Sequence, residues 1–378
     1  MLTAPAMIKF LLTLTFAAIA FNPLSSQEHY LLVGTYTGGK SEGIYVYRFN
    51  SKDHSHQPVS HIKASNPSFL AISPDQRFVY AVHENGGNHD GGEVSAYRFD
   101  NTNGTLQLIN TRRTGGDHPC FVDVDKSGKW VFVANYSSGT LSVLPVRPDG
   151  SLGEAVTKIQ HEGSGTNKDR QAGPHVHATR ISPDNKWLFV PDLGTDKLMI
   201  YSFDENTGSL KTGSQPYIES EPGAGPRHID FHPSGKYIYL IEELTGHVVV
   251  YLFHDGRLIR LQRVSSLPPD QKGFAGSADI HVSPDGKHLY ASNRGNFDNI
   301  AIFKIKKDGR LDIKGFQSTL GKAPRNFNFD PSAKYILAGN QDSDEIVVFK
   351  RKTGNGLLQD TGDRIAAGKP VCLKWITK

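Results

Sequence analysis

The feature that most constrains this chain is a repeat. Six segments, 66–84, 118–136, 176–193, 226–243, 277–294 and 324–341, share one pattern: a short alternating run, a turn, and a run rich in Tyr, Phe, Val, Leu and Trp. The first copy contains Ala71-Ile72-Ser73-Pro74-Asp75-Gln76-Arg77-Phe78-Val79-Tyr80, which reads as a β-hairpin. Its turn is anchored at Pro74, and the other copies at Lys126, Pro183, Pro233, Pro284 and Pro331, at spacings of 52, 57, 50, 51 and 47 residues. Each interval leaves room for two further strands, such as 92–99 and 140–146. Four antiparallel strands per unit of about 50 residues is the pattern of a β-propeller blade.

A seventh unit is divided between the ends of the chain. Segment 370–376 matches the first strand of a blade, and 30–36 and 43–49 match the next two. Joining them closes a ring and removes a free sheet edge. The expected fold is therefore all-β, a seven-bladed β-propeller closed by pairing of N- and C-terminal strands in one blade. The 38 glycines and 21 prolines agree, since they supply turns and would break a helical bundle. An open solenoid or a pair of sandwiches would leave the complementary terminal halves unexplained.

The first residues read differently. Lys9 precedes an apolar run from Phe10 to Phe21, followed by small residues at Ser25 and Ser26, the pattern of a signal peptide. Cleavage is expected after Ala20 or Ser26, dividing the chain into a leader, 1–26, and a single domain, 27–378. The run is short of the roughly 20 apolar residues of a membrane span, and none later approaches that length. The mature protein is thus expected to be exported, periplasmic or secreted, and monomeric. Cys120 and Cys372 alone cannot build a disulfide framework. The 42 basic and 38 acidic residues are interspersed, so no nucleic-acid surface is indicated.

Aligning the six hairpins turns each position into a column around the ring. Six residues before the turn anchor stand Ser68, Cys120, His177, Arg227, Ala278 and Arg325, with Val371 in the divided blade. Ten residues after it stand Glu84, Tyr136, Leu193, Glu243, Arg294 and Gln341, with Tyr36 in the divided blade. The columns are symmetric about the turn, which predicts cross-strand opposition and one shared mouth of the central channel. His177, Arg227, Glu243 and Arg294 then converge on a single pocket. One acid or base, one carboxylate and two fixed cations suit an anionic substrate whose carbonyl is polarised or whose proton is moved. Taken singly, Arg227 and Glu243 read as an ion pair and His177 as a packed histidine.

His175, His228, Tyr136, Asn293 and Arg325 flank these positions and are the expected substrate-binding residues. Gly173-Pro174-His175-Val176-His177 resembles a metal pair, but no acidic third ligand accompanies it, so neither metal nor other cofactor is expected. Cys120 reads as a small buried thiol. No phosphate loop, dinucleotide-binding glycine motif or nucleophile-elbow serine is present.

Gly34-Thr35-Tyr36-Thr37, Ala134-Asn135-Tyr136, Pro174-His175-Val176-His177, Gly225-Pro226-Arg227-His228, Glu243-Leu244 and Asn293-Arg294 together carry a resemblance. Over essentially the whole mature chain, the sequence resembles the seven-bladed propeller lactonases, the family of bacterial propeller-type 6-phosphogluconolactonase and fungal carboxymuconate-lactonizing enzyme. The resemblance implies metal-independent hydrolysis of a small anionic sugar lactone, and that family's active-site His, Arg, Glu and Arg fall on His177, Arg227, Glu243 and Arg294. Glu242 stands where the family usually has Asn, and strand alternation points it away from the pocket. Two other functions stay open: a muconate-type cycloisomerase, and a non-catalytic exported binding propeller.

Overall fold

In each hairpin the residue before the turn anchor is Ser, Asp or His, and most of these tie the turn together. Ser73, Ser182 and Ser283 accept through Oγ the backbone N–H five residues on, at 2.9–3.0 Å, and Asp125 and Asp330 do so through Oδ1 at 2.8 and 2.7 Å. A side-chain acceptor that satisfies an otherwise orphaned turn amide is why this short motif recurs in five of the six hairpins. The second strand of each hairpin lies between neighbouring blades and is buried on both faces. Trp130–Asn135, His288–Asn293 and Tyr335–Asn340 are buried throughout, which accounts for their nearly continuous apolar runs. The outermost strands, such as His56–Lys63, are largely exposed.

The computed structural model describes residues 1–2, 27–87, 91–270 and 273–378. The leader expected at 1–26 falls outside them except for its first two residues. The strands form seven four-stranded antiparallel sheets, six of them built from consecutive strands. The seventh joins the ends: Pro370–Thr377 is its innermost strand and pairs with Glu28–Thr35, followed by Gly43–Asn50 and His56–Lys63. Gly34, on that seam, approaches the next blade so closely that a Cβ would stand 2.5 Å from the Pro67 carbonyl oxygen and 3.1 Å from Cys372 Cβ. Among the described residues no helix is long and apolar enough to cross a membrane.

The innermost strands begin irregularly, and this corrects the expected register. Asn66, His118, Gly225, Gly276, Ala323 and Lys369, at equivalent places, all have positive φ, between 42° and 68°. Directly afterwards the ladder takes up an extra residue. Pro226 pairs with Glu242, but His228 pairs with Ile241, which leaves Arg227 unpaired as a β-bulge. Cys120, Arg325 and Val371 are bulged in the same way, and the extra residue of the 277–293 pairing falls at Ala278 or Asp279. The two columns are therefore not cross-strand partners. In most blades the first holds a bulge residue, and the other consists of residues that immediately follow a second strand. A bulge bends the strand and re-aims its side chain, and here it turns the first column toward the residues leaving the neighbouring strand ends.

Candidate functional site

Arg227 illustrates the result. Its bulge sends the guanidinium to Glu243, the first residue after Tyr237–Glu242, with Nε donating to Oε2 at 2.8 Å. Two more arginines reach the same carboxylate. Arg294, the first residue after His288–Asn293, places Nη2 3.2 Å from Oε2, and Arg170 donates from Nη2 to Oε1 at 2.7 Å. Burial alone would raise the pKa of Glu243, but Arg294, Arg227 and Arg170 outweigh it and hold the carboxyl down to about 2. Both of its oxygens are thus committed to cations.

His177 lies beside this cluster, with Nε2 3.9 Å from Glu243 Oε2 and Nδ1 3.8 Å from Cys120 Sγ. Burial, then Arg227, His228 and Arg325, push its pKa well below the usual histidine value, so the ring is neutral at neutral pH. Cys120 is buried, and burial raises its thiol, which keeps it protonated and unreactive.

These side chains border a cavity of about 430 Å³ at one mouth of the channel. His177, Glu243, Arg294, Arg325 and Tyr136 line it, together with Arg170, Tyr36, Glu84 and the half-exposed ring of Phe274. Arg227 does not. It is 1% exposed and lies deeper, against a small space of about 10 Å³ shared with His228, Glu84 and Arg325. The expectation that four residues line one pocket is corrected for Arg227, which lies against Glu243 as expected but on the side away from the cavity.

The other expected binding residues divide. Tyr136 and Arg325 face the cavity. His175 is stacked on Tyr136 at 4.4 Å and bonded to its backbone oxygen at 3.0 Å, so it supports the wall from behind. His228 accepts from Arg227 Nη1 at 3.2 Å and donates from Nδ1 to Asp279 at 2.9 Å, within the channel. Asn293 is fully buried between strands, bonded to Ser266, Ser277 and Asn299. Glu242 is likewise turned away, its Oε2 held by Arg263 at 2.7–2.9 Å.

Arg170 was not found from the sequence. It sits in the long connection between Thr157–Gln160 and Arg180–Ile181, outside every repeat column, and reaches both Glu243 and the Tyr136 hydroxyl, the latter at 3.3 Å. Tyr36 and Glu84 were visible as column members but carried no role.

The geometry has counterparts among known proteins. Residues 30–375 match the family model described as a lactonase with a seven-bladed β-propeller. The chain belongs to this lactonase family. A 6-phosphogluconolactonase of Formosa agariphila is 38% identical over 92% of this chain and 99% of its own, and one of Bacillus subtilis is 35% identical over 91% and 97%. The solved structure of a periplasmic gluconolactonase of Pseudomonas aeruginosa superposes on this lactonase with a TM-score of 0.88, at 38% identity, covering 93% of this chain and 99% of its own.

Proposed function

We propose that this lactonase, a carboxylic ester hydrolase, opens the cyclic ester of an anionic sugar acid, with a 6-phosphogluconolactone-like compound as the substrate type. One observation carries the anionic preference. Of the arginines at the cavity, Arg325 alone has no carboxylate or hydrogen-bonding partner among the described residues; its guanidinium carbon lies 5.3 Å over the ring of Tyr36. Glu84 and Glu243 stabilise its charge only from beyond contact distance, and a guanidinium at a cavity wall with no direct partner invites an anion. The cavity volume lies within the roughly 300–1,000 Å³ of small-molecule sites.

Hydrolysis requires an attacking water, a place for the developing oxyanion and a proton for the departing ring oxygen. Arg294 and Arg325 border the cavity as fixed donors for the substrate anion and the oxyanion. Arg227, behind Glu243, holds that carboxylate and through it the other guanidinium groups. Of the two side chains expected to move the proton, Glu243 is saturated by arginines and His177 is depressed by burial among cations, so both are weak bases. Glu243 serves best as the anchor that fixes Arg170, Arg227 and Arg294.

The same reading takes the chain to be exported. It is supported by the pattern of residues 1–26 and by the periplasmic gluconolactonase to which the chain is similar. The working unit is taken to be a monomer, since the ring closes within one chain and the whole cavity is lined from it. The test is a screen of purified protein against sugar lactones with and without phosphate. Release of the hydroxy acid supports the reading, isomerisation of a muconate-type diacid favours the cycloisomerase, and saturable binding without turnover favours a binding propeller.

A further inference from the structure

The cavity holds a second carboxylate whose circumstances are the reverse of those of Glu243. We propose that Glu84 is the general base of the hydrolysis, taking the proton of the attacking water while Tyr36 holds its carboxylate in place. This deepens the lactonase reading and rests on it.

Glu84 is the first residue after Phe78–His83, so it emerges at the same mouth and at the same place in its blade as Glu243 in its own. It borders both the cavity and the small space beneath, which puts it on the floor where the channel narrows. Its Oε2 accepts a hydrogen bond from the Tyr36 hydroxyl at 2.8 Å. No other hydrogen bond and no ion pair engages the carboxylate among the described residues, so Oε1 keeps its lone pairs. A general base needs an uncommitted lone pair within reach of the water, and Glu84 has one where Glu243 has none.

Tyr36 and Arg325 complete the unit. Burial raises the Tyr36 phenol, and Glu84 raises it further against the opposing effect of Arg325, so the hydroxyl stays protonated and donates to Glu84 in one sense only. Arg325 stacks over the Tyr36 ring and makes no direct ion pair among the described residues, although the nearby Glu84 and Glu243 stabilise its charge. A guanidinium with no direct partner and a carboxylate with one oxygen free of hydrogen bonds are thereby brought to one wall, where the first can receive the carbonyl oxygen and the second the water.

The step balances. Glu84 takes a proton from water, and the oxygen so released bonds to the lactone carbonyl carbon, whose π electrons move onto the oxygen facing the arginines. On collapse the ring C–O bond breaks, its electron pair stays on the ring oxygen, and that oxygen takes the proton back from Glu84. The new carboxylic acid loses its own proton to solvent.

The experiment measures sugar-lactone hydrolysis by the full chain carrying Glu84→Gln or Glu84→Ala, with folding checked by denaturant titration. Both variants should lose kcat by about 100-fold to 10,000-fold, the usual contribution of a positioned base, with a much smaller change in KM. Formate should restore part of the rate to Glu84→Ala and none to Glu84→Gln, because only the smaller side chain leaves room for a replacement carboxylate. A rate in Glu84→Gln within a few-fold of the unmodified protein overturns the proposal, as does a loss in Glu84→Ala that formate leaves untouched. If the unmodified protein hydrolyses no lactone, the lactonase reading itself fails.

Discussion

Arg227 Nε and Glu243 Oε2 are 2.8 Å apart although the two residues are not paired across the sheet: Arg227 is the extra residue of a β-bulge, and Glu243 has already left its strand. The contact is made by re-aiming a side chain at a strand irregularity. Arg170 and Arg294 then close on the same carboxylate, so one buried anion organises three cations.

Replacing Glu243 by Gln should therefore weaken the fold as well as the activity. Removing one partner of a buried ion pair typically costs about 3–5 kcal/mol, because the remaining charge is left without compensation. Denaturant unfolding at neutral pH should show a loss of this size.

Acid should unfold the protein in two stages. Burial and neighbouring cations lower His177 well below 6.5 and His228 to about 3, so the unfolded chain binds protons that the folded one refuses once the pH drops below about 6.5. Stability should fall by roughly 2 kcal/mol between pH 6.5 and 5 through His228, and further in the same direction through His177. Glu243, depressed from 4.5 to about 2, stabilises the fold fully above about pH 4.5, and that contribution of roughly 3 kcal/mol is lost between pH 4.5 and 2. Unfolding free energies should change little from pH 7.5 to 6.5 and decline from there to pH 4; a flat profile below pH 6.5 would contradict the neutral state assigned to the two histidines.

Much of this was legible in the chain, and the limits have a physical origin. Seven blades, the divided blade and the turn motif follow from periodicity, which is a property of the residues themselves. The bulge is not, because a left-handed residue such as Ala323 or Lys369 before an inner strand has no side-chain signature and shifts the register by one without altering the apolar pattern. Aligned columns thus found Arg227 and Glu243, and put Glu243 at the cavity, but misplaced Arg227, which lies deeper. Arg170 could not be found at all, since the 161–175 connection belongs to no repeat. Asn293 and His228 looked like site residues because they adjoin Arg294 and Arg227 in sequence, yet each points to buried hydrogen-bond partners.

At the seam, Gly34→Ala should destabilise the ring. The added methyl would meet the Pro67 carbonyl oxygen and the Cys372 Cβ, both on backbone that cannot give way cheaply. A loss of about 1–3 kcal/mol is expected, read as a lower denaturation midpoint, with the cavity chemistry unchanged in what remains folded.

Arg170→Ala should leave the fold nearly intact, since the side chain is one-third exposed and its loop is not part of a blade. Glu243 Oε1 and the Tyr136 hydroxyl lose their shared donor, and the misplacement should lower kcat/KM for the lactone by up to about 100-fold. Wild-type kinetics in this variant would show that the loop arginine has no part in organising the site.

The most direct measurement is kcat/KM for an anionic sugar lactone in Arg325→Ala beside the unmodified protein, with unfolding curves recorded for both. Arg325 makes no direct ion pair or hydrogen bond among the described residues, and Glu84 and Glu243 act on it only from beyond contact distance, so the loss of stability should be small while the rate falls about 100-fold to 1,000-fold, the usual consequence of removing one preorganised oxyanion donor. A variant that folds normally and hydrolyses the lactone at the unmodified rate would contradict the assignment of this cavity as the site of lactone hydrolysis.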